Sequence, residues 1–352
     1  NIDNKEQTKS DDRQKLNSES IKSIDLNLNI KIEDKLLDED TKIAKVFGIY
    51  DPAENDFKLN MWSSTKAEDI KASLKRIEKI KLSKTANQIL EKILLSFSYA
   101  PDGMNEEEFA DLKINWLIKN KRTDLIEIFL KQNKEFKSKS KAVQYLVDEN
   151  IAKANIQEGC NKIKFIDIKT QKAYLEKFKI YCLIFSDKKS EAQLLLDLLR
   201  EQKQSDKFYD DKINFILGVT DKTNNKINEK NLLNFYLSSI TNKDFDFKPN
   251  KNTKEEIWRY LNASNLIKLD DASDKERLKE LELAANAGQV DENTIFKIYK
   301  QIPFSLNQLV NAKNIYPTLE NSDARPLIYQ KYLLSEDNDL KIEYLFLLEE
   351  LF

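Results

Sequence analysis

The chain contains no histidine, and its 352 residues include only 5 Gly, 6 Pro and 2 Cys. Without imidazole there is no Ser-His or Cys-His dyad and no histidine metal ligand. Folds built on glycine-dense turns or phosphate-cradling loops are excluded by the same count, since glycine normally makes up about 7% of a protein. Arginine is scarce too. Only seven of the 58 basic residues are Arg, so the planar forks that read phosphate or guanine are few. Basic and acidic residues nearly cancel (58 against 60), and the two signs are interspersed, which leaves no electrostatic footprint for nucleic acid. No apolar run approaches the roughly 18 residues that would span a bilayer. The run Tyr181-Cys182-Leu183-Ile184-Phe185 is core-sized.

Residues 1 to 42 are polar and read as a flexible arm. Within it Ile24, Leu26, Leu28, Ile30 and Ile32 alternate with polar residues, the period of a strand over 24–32. Such a strand could add to an exposed sheet edge of a partner. The reading preferred here is that it docks on the protein's own first helices, because a free apolar strand invites aggregation.

From Thr65 onward the period is helical. Ile70, Leu74 and Ile77 form one stripe, Phe109, Leu112 and Trp116 another, and Ala192, Leu195, Leu196 and Leu199 the most regular. Thr65 with Glu68, Thr253 with Glu256, Ser273 with Glu276, and Ser305 with Gln308 have the spacing of reciprocal capping boxes. Gly218 and Gly288 fall where a left-handed residue ends a helix, and Pro101-Asp102-Gly103 marks a turn. About fifteen helices are predicted. Hairpins starting near 105, 139, 170 and 207 repeat at close to the ~34-residue tetratricopeptide period, without that family's aromatic-glycine signature.

The predicted fold is therefore all-α: an α-solenoid, a superhelix of stacked, tetratricopeptide-like helical hairpins behind the arm. Its predicted division is a helical-repeat region over 43–240, a linker over 241–254 where Asn, Lys, Asp and Pro249 interrupt the stripes, and a second helical-repeat region over 255–352. That second region is expected to be truncated, because Tyr344 to Phe352 stops inside an amphipathic pattern.

Candidate chemistry is sparse. Asp221, Thr223 and Asn225 have the alternation of a calcium loop, but Lys226 stands at the glycine position and Leu232 where a bidentate Glu must close the shell. Ser138 with Lys141, and Ser186 with Lys189, have Ser-x-x-Lys spacing, which a chain with 51 lysines produces by chance. The lysines at 131, 134, 137, 139 and 141 read as a solvated loop, and Trp116 and Trp258 as core. Cys182 shares a helical face with Tyr174, Phe178 and Phe185, which predicts a buried free thiol, while Cys160 follows Gly159 in a predicted turn. No catalytic residue, metal ligand or cofactor is assigned.

Gln171 to Gln202 and Leu281 to Ala312 resemble segments of a family of exported alphaproteobacterial helical-repeat proteins with no established activity. So do Asp51-Pro52 with Met61-Trp62-Ser63-Ser64, and Thr85 to Gly103. The resemblance runs discontinuously from about residue 51 to 336. It implies a helical-repeat fold on the envelope side of the cell and carries over no functional residue. Taken together, the residues and the resemblance predict a non-enzymatic scaffold or adaptor that binds a protein partner, placed in the bacterial periplasm. The alternatives are the non-catalytic helical part of an envelope enzyme such as a cell-wall glycosidase, or a cytoplasmic adaptor.

Overall fold

A computed structural model describes residues 44–133, 136–166 and 172–352. The strand expected over 24–32 lies outside the described residues. Among them the secondary structure is helical throughout, apart from three isolated bridges (Phe47 with Ser98, Tyr50 with Ser96, Lys66 with Asp102). The protein is all-α, and its helices follow one another as packed hairpins.

Four hairpins carry the repeat. They pair α3 (Glu106–Lys119) with α4 (Thr123–Gln132), and α5 (Lys139–Ala152) with α6 (Ile156–Lys162). The next two pair α7 (Ala173–Phe185) with α8 (Lys189–Glu201), and α9 (Lys207–Leu217) with α10 (Leu232–Thr241). Their first helices begin 33 or 34 residues apart, at Glu106, Lys139, Ala173 and Lys207. Two more helices precede them, α1 (Ala67–Ile77) and α2 (Lys84–Leu95). Seven follow: α11 (Glu255–Ala263), α12 (Lys275–Asn286), α13 (Glu292–Tyr299), α14 (Leu306–Val310), α15 (Ala312–Ile315), α16 (Asn321–Leu334) and α17 (Asn338–Leu351).

The stack is not a simple file in which each hairpin touches only its neighbours. Helix α5 also receives α10 and α11. It can do so because its sequence is apolar on more than one face: Ala142, Val143, Leu146, Val147, Ile151 and Ala152 are all essentially without solvent exposure. The alanines keep the axes close, and truncating a side chain such as Leu146 here would cost about 2–5 kcal/mol. Of residues 241–254, expected as a linker, Thr241 closes α10 and 242–254 form no helix. Packing nevertheless continues across them. Phe245 and Phe247 set their rings edge-on to Phe235, with centroids 5.7 and 4.9 Å away, and the Arg277 guanidinium donates to the Pro249 carbonyl at 2.7 Å.

Helix ends depart from expectation at three of the four proposed capping boxes. Ser305 and Gln308 make the full reciprocal pair, but α1, α11 and α12 each begin one residue later than drawn, behind Lys66, Lys254 and Asp274. Thr253 instead accepts from the Asn250 N–H at 3.0 Å. A reciprocal box not expected from sequence joins Asn105 and Glu108 at the start of α3.

The two cysteines correct the sequence reading most directly. Cys160 and Cys182 form a disulfide. Gly159 lies inside α6 and not in a turn, and a Cβ placed on it would come within 3.2 Å of the Phe178 ring and 3.3 Å of Asn150. Absence of a side chain at 159 lets α6 approach α7 closely, which brings Cys160 to Cys182. Closing a loop of this length stabilises a fold by about 3 kcal/mol, chiefly through the unfolded chain.

Glycine scarcity also shows in the hairpin turns. Seven helices end in the same paired bonds, in which the left-handed residue bonds back three positions and its successor five, as in Ala154 N–H to Ile151 O and Asn155 N–H to Asn150 O. Gly218 and Gly288 occupy two of these left-handed positions, as expected, but Lys121, Ala154, Asp187, Lys203 and Asn265 occupy the other five at φ of 53–59°. A side chain there costs on the order of 1 kcal/mol relative to glycine. Ala154 is exposed and gives up no packing on truncation. Ala154→Gly is therefore expected to raise unfolding free energy by about 1 kcal/mol in urea titration. A loss of stability would contradict this account of the turn.

Candidate binding site

Two features stand out once the helices are in place. The larger is a groove of about 1050 Å³ where α1 faces α3 and the turn before α5. Helix α1 is tied down mainly through buried Ile70 and Ala67, so a gap opens along the rest of its length. Half-buried Leu74, Leu112 and Trp116 form an apolar floor. The rim is split by charge. Lys71 and Lys75 stand on the α1 side, and Glu106, Glu107, Glu108 and Asp111 on the α3 side. An ion pair between Lys119 and Glu78 (2.5 Å) crosses from one wall to the other. Part of the acidic wall is already engaged: Glu107 accepts from the Lys137 N–H at 2.6 Å, Glu108 completes the cap of α3, and Asp111 accepts from Asn115. Lys71, Lys75 and Glu106 make no ion pair among the described residues. Trp116 thus belongs to a groove as well as to the core expected for it, whereas Trp258 is fully buried.

The smaller feature is a cavity of about 290 Å³ at the seam of α5 and α11, lined by Ile118, Lys121, Tyr145, Asp148, Glu149, Glu255, Glu256 and Arg259. Ionisable groups converge here, which sequence reading did not foresee. Arg259 grips Glu149 with two parallel hydrogen bonds of 2.6 and 2.7 Å, and Lys121 pairs with Glu255 at 2.5 Å. These bonds fasten residues 110 and 134 positions apart, so the pairs close the seam. Asp148 is different. Part of the residue reaches the surface, but its carboxyl is enclosed and accepts from the Tyr174 hydroxyl of α7. Burial pushes it up to about 7, and the nearby Glu256 and Glu149 push the same way against the hydrogen bonds from Tyr174 and Gln144. The Tyr145 hydroxyl is buried with no hydrogen-bond partner among the described residues. Such a carboxyl can hold a proton near neutrality. Of the groups around it, Glu149 and Glu255 are committed to ion pairs with Arg259 and Lys121.

A buried lysine lies outside both features, against the segment that leads into α1. The Lys113 side chain is fully buried, donating to the carbonyls of Phe47 (2.6 Å) and Ser96 (2.9 Å) and lying over the Phe109 ring. Burial lowers it to about 7. It clamps the segment before α1 to the end of α2. Its signal was present in the sequence as a lysine four residues after Phe109, inside an apolar stripe, but 51 lysines hide it.

The other sequence candidates are placed as follows. The candidate partner-binding residues Ile24, Leu26, Leu28, Ile30 and Ile32 lie outside the described residues. The Asp221–Asn225 loop is organised by the neighbouring carboxylate of Asp211, which accepts from the Thr223 hydroxyl at 2.5 Å and from the Asn224 N–H at 3.0 Å. Among the described residues no group of three Cys, Asp or Glu side chains is arranged to hold a metal ion, and no helix is long and apolar enough to cross a membrane. Compared with protein-family models, with curated proteins and with solved structures, the chain matches none.

A raised folded-state pKa means that the native protein keeps a proton which the unfolded chain, at 3.8, releases. Asp148 then contributes its full stabilisation below that value, and loses it as pH rises through about 7. Asp148→Asn keeps the acceptor for Tyr174 and cannot ionise. The variant is expected to match the parent at pH 3.5 and to exceed it by about 2–4 kcal/mol at pH 8.5, measured by urea titration across that range. A difference that does not change with pH would contradict the burial of this carboxyl.

Proposed function

We propose that the protein is a non-enzymatic helical-repeat scaffold that binds another protein, and that it works in the bacterial periplasm. The observation that carries the binding reading is the groove between α1 and α3, with its apolar floor of Leu74, Leu112 and Trp116 between a basic and an acidic wall. A peptide segment of mixed charge with one apolar stripe would bury that floor and satisfy both walls. Catalysis has less support: four of the ionisable groups at the α5–α11 seam, Lys121 with Glu255 and Arg259 with Glu149, are spent on ion pairs that hold it together. The periplasmic placement draws on the Cys160–Cys182 disulfide, since such bonds persist in oxidising compartments and are rare in cytosol. The likeness to exported alphaproteobacterial helical-repeat proteins points the same way, and makes that family the proposed one.

One experiment addresses both parts. A photo-crosslinking residue is placed at Lys75 in the groove, or at exposed Lys203 as control, in intact cells of the native host. Position 75 is expected to give a discrete protein adduct that Lys71→Glu combined with Trp116→Ala abolishes, and position 203 none. In the same cells Cys160 and Cys182 are expected to resist alkylation until reductant is added. Absence of adducts from the groove would contradict the binding reading, and two freely alkylated thiols would contradict the location.

A further inference from the structure

The helix α17 has two apolar faces where a surface helix needs one. Tyr344 and Leu348 are buried against α16, with Leu347 and Leu351 beside them. That inner face accounts for its place in the fold. On the opposite side Ile342, Leu345 and Phe346, spaced i, i+3, i+4, are 51%, 49% and 61% exposed. A helix that is apolar on both sides is one that is covered on both sides, and a contiguous exposed apolar patch is the mark of an interaction surface.

Charge says what would cover it. The whole chain is nearly balanced, but 336–352 carries Glu336, Asp337, Asp339, Glu343, Glu349 and Glu350 against the single base Lys341. All six acids are exposed. Glu343 pairs with Lys313, and Asp337 caps α17. Glu336, Asp339, Glu349 and Glu350 have no basic partner among the described residues. A second copy of the chain would lay this acidic row against itself in a two-fold contact, where like charges oppose association. A membrane surface rich in anionic lipid is disfavoured for the same reason.

We propose that the outer face of α17 docks an amphipathic helix of another protein whose apolar stripe is flanked by lysine or arginine. The inference rests on the scaffold reading above and adds a second surface, distinct from the groove, with a partner of defined chemistry. Leu345 and Phe346 would fill the stripe of the incoming helix, and Glu349 and Glu350 would pair with its basic flank.

The test uses the 352-residue chain and two synthetic helices of about 18 residues, long enough to hold helical form. Both carry leucines at i, i+3, i+4 and i+7. One is flanked by lysines and the other by glutamates. By fluorescence anisotropy the lysine helix is expected to bind at least about tenfold more tightly than the glutamate helix, with affinity falling as salt rises. Ile342→Asp with Phe346→Asp is expected to remove that binding. Glu349→Lys with Glu350→Lys is expected to reverse the preference between the two helices, an outcome that requires a folded protein. Lys71→Glu with Lys75→Glu is expected to leave it unchanged. Equal binding of both helices, no binding of either, or full binding by the Ile342→Asp/Phe346→Asp variant would overturn the inference. So would a parent chain that is dimeric in light scattering and becomes monomeric in that variant. Loss of lysine-helix binding only in the groove variant would move the docking to the groove, overturning this inference and leaving the scaffold reading intact.

Discussion

Burial of α5 on several sides is the constraint on which the rest of the structure depends. A helix with one apolar stripe can anchor one hairpin. Because Ala142, Val143, Leu146, Val147, Ile151 and Ala152 spread around α5, it can hold α3 and α4 before it in sequence, α6 and α7 after it, and α10 and α11 from far along the chain. Dispersion and burial supply most of the free energy of such a junction. The polar bonds at its edge give it register. Arg259 and Glu149 make a two-pronged contact that tolerates little sliding, and Tyr174 meets the Asp148 carboxyl at the same level. The enclosed carboxyl is what that register costs near neutral pH.

The proposed binding surfaces lie where this burial gives out. Helix α1 buries only Ala67 and Ile70, near its start, and the groove runs along the rest of it beside α3. At α17 the inner face is satisfied by α16, while the outer face repeats the apolar pattern with nothing among the described residues against it. Both surfaces are therefore by-products of amphipathic helices whose apolar area exceeds what the described fold covers. Helical stacks offer this kind of site, with broad contact area and few reacting groups.

Much of the architecture was legible in the sequence, and the reasons are physical. The stripes at Ala192–Leu199 and Ile70–Ile77 are helical because side chains three and four apart share a face, and both segments are helices. The hairpin period was legible because each two-helix unit consumes a similar length of chain. Helix boundaries were less so, since Thr65, Thr253 and Ser273 have capping chemistry one residue outside the actual starts. The pairing of Cys160 with Cys182 was missed because it depends on how closely α6 approaches α7. That approach is set by Gly159 against Phe178 and has no local signature. The seam cavity was missed for a related reason: Tyr145, Asp148 and Glu149 sit more than a hundred residues from Glu255, Glu256 and Arg259. No spacing rule reaches that far. Lys113 and Asp211 were hidden by composition, one lysine among 51 and one acid among 60.

The central claim is that α5 joins the early hairpins and α11 into one cooperative structure. Native-state hydrogen exchange read segment by segment tests it most directly. The amides of α5, α10 and α11 are expected to exchange together, at the free energy of global unfolding and with the same denaturant dependence. Exchange of α11 through a separate, cheaper opening while α5 stays protected would contradict it, and would make the two ends of the stack independent units.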